Sequence, residues 1–429
     1  MQWTALRIQN GPDATHGAQA FAELEPLLGG SITQDGLGAD QAIRLFTDTI
    51  VPSTRPFGHP TSLSFVASAA SPASLSFDAA LGAANIFAGN WDGGGGAVHA
   101  ENQALRWISD LAGWPETAGG VFVAGGTLGN LSALHAARER KAKRIPRPRR
   151  WAILCSSEAH SSIRAVASVM DVDIISVPPN ENGKLIAQDA VSLITDSVFA
   201  IVANGGATNS GAVDDIAGLA DLAFEHDIWL HIDGAYGGAA MADPVMRPLF
   251  DGIERADSLI VDPHKWLFAN YDSCALIYRD ARDGAAAHGQ RAAYLDTVSN
   301  EQWNPSDYAI HLTRRARGLP LWFSLVVHGS QAYSTAVART REITEDIAKG
   351  IKALDGLDML LGPQLTVILF KPTDMSEEEM ITWAEGKRRS GALLCLPTRW
   401  RGDMVFRLCI VNPETDPHEV LDVLESLTK

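Results

Sequence analysis

Seven short apolar runs, most of them separated by stretches with helical spacing, constrain the fold more than any other feature of the chain. They are VFVA (121–124), WAILC (151–155), VDIISV (172–177), VFAIVA (198–203), IWLHI (228–232), SLIV (258–261) and CALIY (274–278). Each is too short for a buried helix, and most are rich in β-branched or aromatic residues. Amphipathic segments such as 128–143, 161–170 and 214–224 lie between them. Uninterrupted apolar strands alternating with helices predict a mostly parallel sheet covered on both faces. Ligands of such sheets sit at the carboxyl ends of the strands, so chemistry is expected in the residues just after each run.

This large α/β domain is assigned to residues 92–345. Residues 1–91 read as helical pieces joined by Gly-, Pro- and Ser-rich connectors. Residues 346–429 read as a smaller α+β domain. One continuous helical stretch over 319–353 leads into it, followed by TVILFKP (366–372), a helix over 376–390, MVFRLCIV (404–411) and a final helix over 416–428.

Composition closes off several classes. Of 429 residues 46% are hydrophobic and 20% charged, enough for a large core and against global disorder. A formal charge of −16 argues against nucleic acid as the main partner, because phosphate binding needs clustered basic surface. The basic run RERKAKRIPRPRR (138–150) follows a helix and contains two prolines, so it reads as a solvated connector. No stretch approaches the roughly 18 consecutive apolar residues of a membrane span; the most apolar segment, 61–89, is broken by Pro72, Asp78 and many serines. The opening residues lack a basic and then apolar leader pattern, and no signal peptide is read. The four cysteines form no C-x-x-C pair, so neither a disulfide framework nor structural zinc is expected and a reducing cytoplasm fits.

Three features follow strand ends. AGGTLGN (124–130) opens a helix with glycines that allow backbone N–H groups to approach an anion. It has neither the G-K-[ST] of a Walker loop nor G-x-G-x-x-G spacing, and alone it reads equally as a Gly-rich turn. HIDGAYGG (231–238) brings Asp233 to the end of a strand, with small residues after it that leave room for a flat ligand. His231 and Asp233 share a strand face, which raises a metal reading; no third ligand stands at suggestive spacing, and no metal is expected. DPHKW (262–266) places Lys265 after a buried strand, between His264 and Trp266. The chain has nine lysines against 26 arginines. A lysine in an apolar, aromatic setting can lose its proton and form a Schiff base, although a single lysine at a strand end is more often just snorkelling. Together the three features match the needs of pyridoxal 5'-phosphate: donors for the phosphate, a carboxylate for the pyridine nitrogen and a lysine for the aldehyde.

GGTLGNLSALHAAR (125–138), EAHSSI (158–163), HIDGAYGG, DPHKWLF (262–268), AAYL (292–295) and TRRARGLPLWF (313–323), in this order, resemble the group II pyridoxal-phosphate decarboxylases. That family includes aromatic-L-amino-acid, glutamate, histidine and tyrosine decarboxylase-like enzymes of fold type I. The resemblance implies the fold type I architecture, with residues 1–91 packed on a partner subunit of a homodimer. It implies that Lys265 forms the Schiff base, Asp233 pairs with the pyridine nitrogen, Ala235 packs on one ring face and His160 stacks on the other. Gly126, Thr127 and His264 would bind the phosphate, and Thr208, in NGGATNSGAVDD, lies beside the ring. Tyr294, on a polar, Gly/Ala-rich loop read as mobile, would return a proton to Cα after CO₂ leaves, in preference to Tyr308. Arg314 matches an arginine found near the substrate carboxylate. Asp262 stands where many animal members have Asn and is excluded from the phosphate set, because a carboxylate there must turn away or be hydrogen-bonded. Gly125 stands where some relatives carry a serine.

The implied reaction is decarboxylation of an L-amino acid to its amine. Phe65, Val66 and Ser68, with Phe87 from the partner, would line the substrate pocket. They favour an aromatic side chain, since this region shows no basic residue to grip a side-chain carboxylate. Two alternatives stay open: decarboxylation coupled to oxidative deamination, giving an aldehyde, and a catalytically inert dimeric scaffold. Tyr294 argues against the first, and the intact Lys265, Asp233 and His160 against the second.

Overall fold

The computed structural model describes residues 2–289 and 302–428. All seven apolar runs are strands: β1 (Gly119–Val123), β2 (Ala152–Ser156), β3 (Asp173–Val177), β4 (Val198–Asn204), β5 (Trp229–Asp233), β6 (Ser258–Val261) and β7 (Cys274–Tyr278). They form one sheet in the order β1-β7-β6-β5-β4-β2-β3. The neighbours from β3 to β6 are parallel, whereas β7 runs antiparallel to both β6 and β1. Every residue of β1, β2 and β4 to β7 is buried, which explains why their sequences are apolar without alternation. Each face has its own core. Leu154, Ile201, Leu230, Ile232 and Leu259 fill one. Ile153, Val202, Trp229 and Ile260 fill the other, together with Ala133, Leu134, Ala136 and Ala137 of the helix Gly126–Ala142. Alternation along β5 puts Trp229, His231 and Asp233 on that second face.

A second sheet follows, wholly antiparallel, in the order β10-β11-β9-β8. Its strands are β8 (Leu357–Gln364), β9 (Val367–Pro372), β10 (Pro397–Trp400) and β11 (Asp403–Cys409). The sequence reading missed β8 and β10. Both are only partly buried, and β8 ends in Gly362-Pro363-Gln364, which reads as a turn. The helical stretch 319–353 is two helices, Leu319–His328 and Ser330–Ala353. They break at Gly329, whose φ of 77° lies in the left-handed region. The helix Glu377–Ser390 has a reciprocal capping box between Ser376 and Glu379 and ends at Gly391 in the left-handed conformation. Leu63 reaches into this small core: its N–H donates to Leu394 O at 3.0 Å, and its carbonyl accepts from Cys409 N at 2.8 Å.

The first fifty residues are built otherwise. The helices Gln2–Asn10, Phe21–Leu28 and Ala39–Leu45 and the π-turn Phe46–Ile50 contain no buried residue. Among the described residues no helix is long and apolar enough to cross a membrane.

Candidate active site

A cleft of about 410 Å³ opens where the strands β2, β4, β5 and β6 end. Gly126, Thr127, His160, Thr208, Asp233, Ala235, His264 and Lys265 all line it. These eight residues lie up to about 140 positions apart and meet because parallel strands deliver their carboxyl ends to one edge.

Lys265 sits on a four-residue helix, Pro263–Trp266, directly after β6. Trp266 anchors it. The indole is fully buried, stacks on Tyr236 with centroids 5.4 Å apart, and donates to Thr340 Oγ1 at 2.9 Å. Its neighbour Lys265 therefore faces the cleft, with Nζ 3.0 Å from Asp262 Oδ2. Burial works against the ammonium, but the carboxylates of Asp262 and Asp233 outweigh it and the lysine is held above its usual value. Asp262 is turned toward Lys265, and its other oxygen is buried without a hydrogen-bond partner. His264 Nδ1 donates to Ser273 O at 2.5 Å, which leaves Nε2 facing the cleft and 3.7 Å from Asp262.

Asp233, at the end of β5, is 8% exposed. Its Oδ1 accepts from Ala235 N at 3.2 Å and its Oδ2 from Asn130 Nδ2 at 2.9 Å. Donors to both oxygens fix the orientation of the carboxylate. His160 serves two purposes: it lines the cleft, and its Nδ1 accepts from Ser162 N at 3.2 Å as the N-cap of the helix Ser161–Met170. His231 is fully buried between Ser258 Oγ (2.7 Å) and Asn130 Oδ1 (2.8 Å), so both ring nitrogens are engaged and neither is left for a metal.

These residues fit pyridoxal phosphate. The helix Gly126–Ala142 begins at Gly125 with no side-chain cap, so its first N–H groups are free to meet an anion. A Cβ on Gly126 would come within 3.3 Å of Asp262 and 3.4 Å of the Ala235 methyl, so only a bare backbone leaves that space for a ligand. The residues lining the cleft supply anion donors, a hydrogen-bonded carboxylate and a lysine, the three groups this cofactor requires.

The proposed substrate residues lie elsewhere in the chain's own fold. Arg314 is buried and paired: its terminal guanidinium nitrogens meet Glu101 at 2.6 and 2.7 Å and donate to Ala88 O at 2.8 Å, while Nε has no hydrogen-bond partner. It ties the segment before the helix Leu319–His328 to the helix Trp91–Leu111 and the turn that precedes it, and does not present its paired nitrogens to a ligand carboxylate within its own subunit. Phe65 is 44% exposed and meets Phe57 edge-on, with the Arg55 guanidinium 5.8 Å above its ring. Its neighbour Val66 does line the cleft. Ser68 Oγ donates to Ala269 O at 2.9 Å and faces a larger cavity of about 1170 Å³. Phe87 packs over the glycines that open the helix Trp91–Leu111. Arg7, Arg55 and His59 also line the larger cavity, which Tyr271 shares with the cleft. Arg7 and Arg55 were not legible as pocket residues in the sequence, because only the fold brings these segments to this wall. Tyr294 lies outside the described residues. Sequence reasoning also missed Asn130; its signal was an Asn one helical turn after Gly126, on the face turned to the sheet.

The profile of the pyridoxal-dependent decarboxylase conserved domain matches residues 23–373. The aromatic-L-amino-acid decarboxylase of Bacillus atrophaeus is 27% identical over 413 residues, covering 92% of this chain and 86% of that protein. The cysteine sulfinic acid decarboxylase of Rattus norvegicus is 31% identical over 291 residues, covering 63% and 58%. In fold, the chain is similar to Oryza sativa TDC crystallised with PLP and tryptamine, with a TM-score of 0.91 at 22% identity, covering 100% of this chain and 95% of that one.

Proposed function

The chain belongs to the pyridoxal-dependent decarboxylase family and is a pyridoxal-phosphate-dependent amino acid decarboxylase; from that premise we propose that it converts an aromatic L-amino acid to its amine and CO₂. The observation that carries the assignment of roles is the convergence of Lys265, Asp233 and the uncapped helix start at Gly126 on one cleft. When bound, the cofactor supplies a ring that takes up the electron pair left on Cα as CO₂ departs. Lys265 holds the cofactor aldehyde. Asp233 keeps a proton on the pyridine nitrogen, and Ala235 and His160 pack on opposite ring faces, with Thr208 beside the ring. Gly126, Thr127 and His264 hold the phosphate. Tyr294 protonates Cα.

We further propose a homodimer in which residues 1–91 pack on the partner and Phe87 reaches its site, with 92–345 as the cofactor domain and 346–429 as the small domain. Phe21 (78% exposed) and Ile32 (101%) on the bare N-terminal segment support this. The four buried, free cysteines fit the cytoplasm.

Aromatic substrates are favoured by Val66 in the cleft and by the likeness to the Bacillus enzyme over nearly the whole chain. A second reading, an acidic side chain, is favoured by Arg7 and Arg55 on the adjoining cavity. The test is a panel of aromatic, acidic and basic L-amino acids with CO₂, amine, aldehyde and ammonia quantified together. CO₂ matched by aromatic amine is expected, with Lys265→Ala lowering CO₂ release by more than about 1000-fold. CO₂ matched by aldehyde and ammonia overturns the amine product, turnover confined to acidic substrates overturns the aromatic assignment, and clean amine formation by Tyr294→Phe overturns its role as proton donor.

A further inference from the structure

Asn130 is 1% exposed and lines the cleft one turn inside the helix Gly126–Ala142. Its carboxamide is a junction. Oδ1 lies 2.8 Å from His231 Nε2, while Nδ2 donates to Asp233 Oδ2 at 2.9 Å and to Ser162 Oγ at 3.0 Å. The two Nδ2 hydrogens are thus both used.

The direction of every bond behind it follows from the donor inventory. The Trp229 indole can only donate, and it donates to Ser258 Oγ at 2.7 Å. Ser258 Oγ also lies 2.7 Å from His231 Nδ1. At the other end the Asp233 carboxylate accepts from the amide NH₂, so Oδ1 faces His231; Oδ1 can only accept, so the neutral imidazole carries its hydrogen on Nε2 and its Nδ1 accepts from Ser258 Oγ. From the carboxylate, which only accepts, back to the indole, which only donates, every bond direction is consistent. Burial keeps His231 neutral, pushing it down to about 4. On the other branch, Ser162 Oγ accepts from Asn130 and lies 2.9 Å from His160 Nδ1, which also accepts from Ser162 N. The hydroxyl hydrogen goes to Nδ1, and the His160 ring hydrogen sits on Nε2.

We propose that Asn130 is a positioning residue for the cofactor, holding the Asp233 carboxylate aimed into the cleft while fixing the tautomer of His160, with His231, Ser258 and Trp229 backing its amide. One side chain thereby couples the carboxylate at the ring nitrogen to the imidazole on the ring face. The proposal rests on the placement of Asp233 given under Proposed function.

The test uses full-length Asn130→Leu, which keeps the volume and removes the hydrogen bonds. The readouts are the dissociation constant for pyridoxal phosphate and the absorption spectrum of the bound cofactor. Binding weaker by about tenfold or more is expected, the loss of one charge-assisted hydrogen bond, with an altered spectrum. In an Asp233→Asn background the same change is expected to add less than about twofold, because Asn130 acts through Asp233. Native-like affinity and spectrum in Asn130→Leu would overturn the proposal, as would an equal loss in both backgrounds. A measurement on the native protein guards against a variant that does not fold. ¹⁵N spectra of histidine-labelled protein, with His231 assigned by its loss in His231→Gln, should show the Nε2–H tautomer; Nδ1–H would overturn the proposal. Asp233→Asn alone, binding cofactor as the native protein does, would unseat the placement of Asp233 instead.

Discussion

The N-terminal segment and the large sheet differ in where their stability comes from. In β4 to β7 every side chain is buried within the chain. Over residues 2–50 none is, although Leu6, Phe21, Leu27, Ile32, Ile43, Phe46 and Ile50 are large, apolar and exposed. Helices of seven to nine residues are marginal alone in water. Burial of an aliphatic side chain stabilises by about 1.5–3 kcal/mol, and this segment draws on almost none of that within its own chain. The contrast teaches that one chain can hold a domain whose fold is self-contained and a segment whose fold depends on a second surface, which we read as the partner subunit.

The largest expected effect comes from breaking the self-contained side. A Cβ at Gly120 would lie 1.9 Å from Leu276 O, so Gly120→Leu must push β1 off β7. A cost above about 4 kcal/mol is expected, measured as loss of soluble folded protein; a normal yield would show that the sheet is not the rigid body described. Acidification comes next. Burial pushes His231 down to about 4, so the folded ring stays neutral while the unfolded chain takes up a proton near pH 6.5. Stability present above pH 6.5 is therefore lost as pH falls toward 4, by roughly 3 kcal/mol from His231 alone. Denaturant midpoints at pH 7 and 4.5 should separate by more in the native protein than in His231→Gln; equal separations would refute it. The smallest effect belongs to the bare segment. Ile32→Ser should change the unfolding free energy of the dilute chain by less than about 0.5 kcal/mol. On dilution of the native protein, amides in Gln2–Asn10 and Phe21–Leu28 should exchange at least about tenfold faster while those of β4 and β5 do not change. Concentration-independent protection would mean that the segment needs no partner.

The same contrast marks what a reader of the sequence could see. Strands buried on both faces wrote themselves as unbroken apolar runs and were all found, as was the more exposed edge strand β3, whose run 172–177 is apolar but for its two polar residues. The half-buried β8 and β10 left no such trace, and the helix break needed the left-handed Gly329 to be recognised inside an apolar stretch. The direction of β7 was not legible either, since an apolar run reads alike both ways. At the site, Lys265, Asp233 and Gly126 stood out because each ends a strand or opens a helix. Asn130 did not, because its meaning lies in contacts with residues about thirty and a hundred positions away. Arg314 was seen but its partner was not: Glu101 looks like any helix carboxylate until the fold buries both.

β1 has a consequence for the order of assembly. Among the described residues it is the first strand in the chain, yet it lies at the sheet edge with β7 as its one strand neighbour. Its pairing closes a loop of about 150 residues, the slowest kind of contact for a chain to find. A nucleus of β2, β4 and β5 can form while β1 still waits, and during synthesis β1 must leave the ribosome well before its partner exists. The glycine-rich turn that follows β1 is therefore among the last parts of the cleft to be set in place.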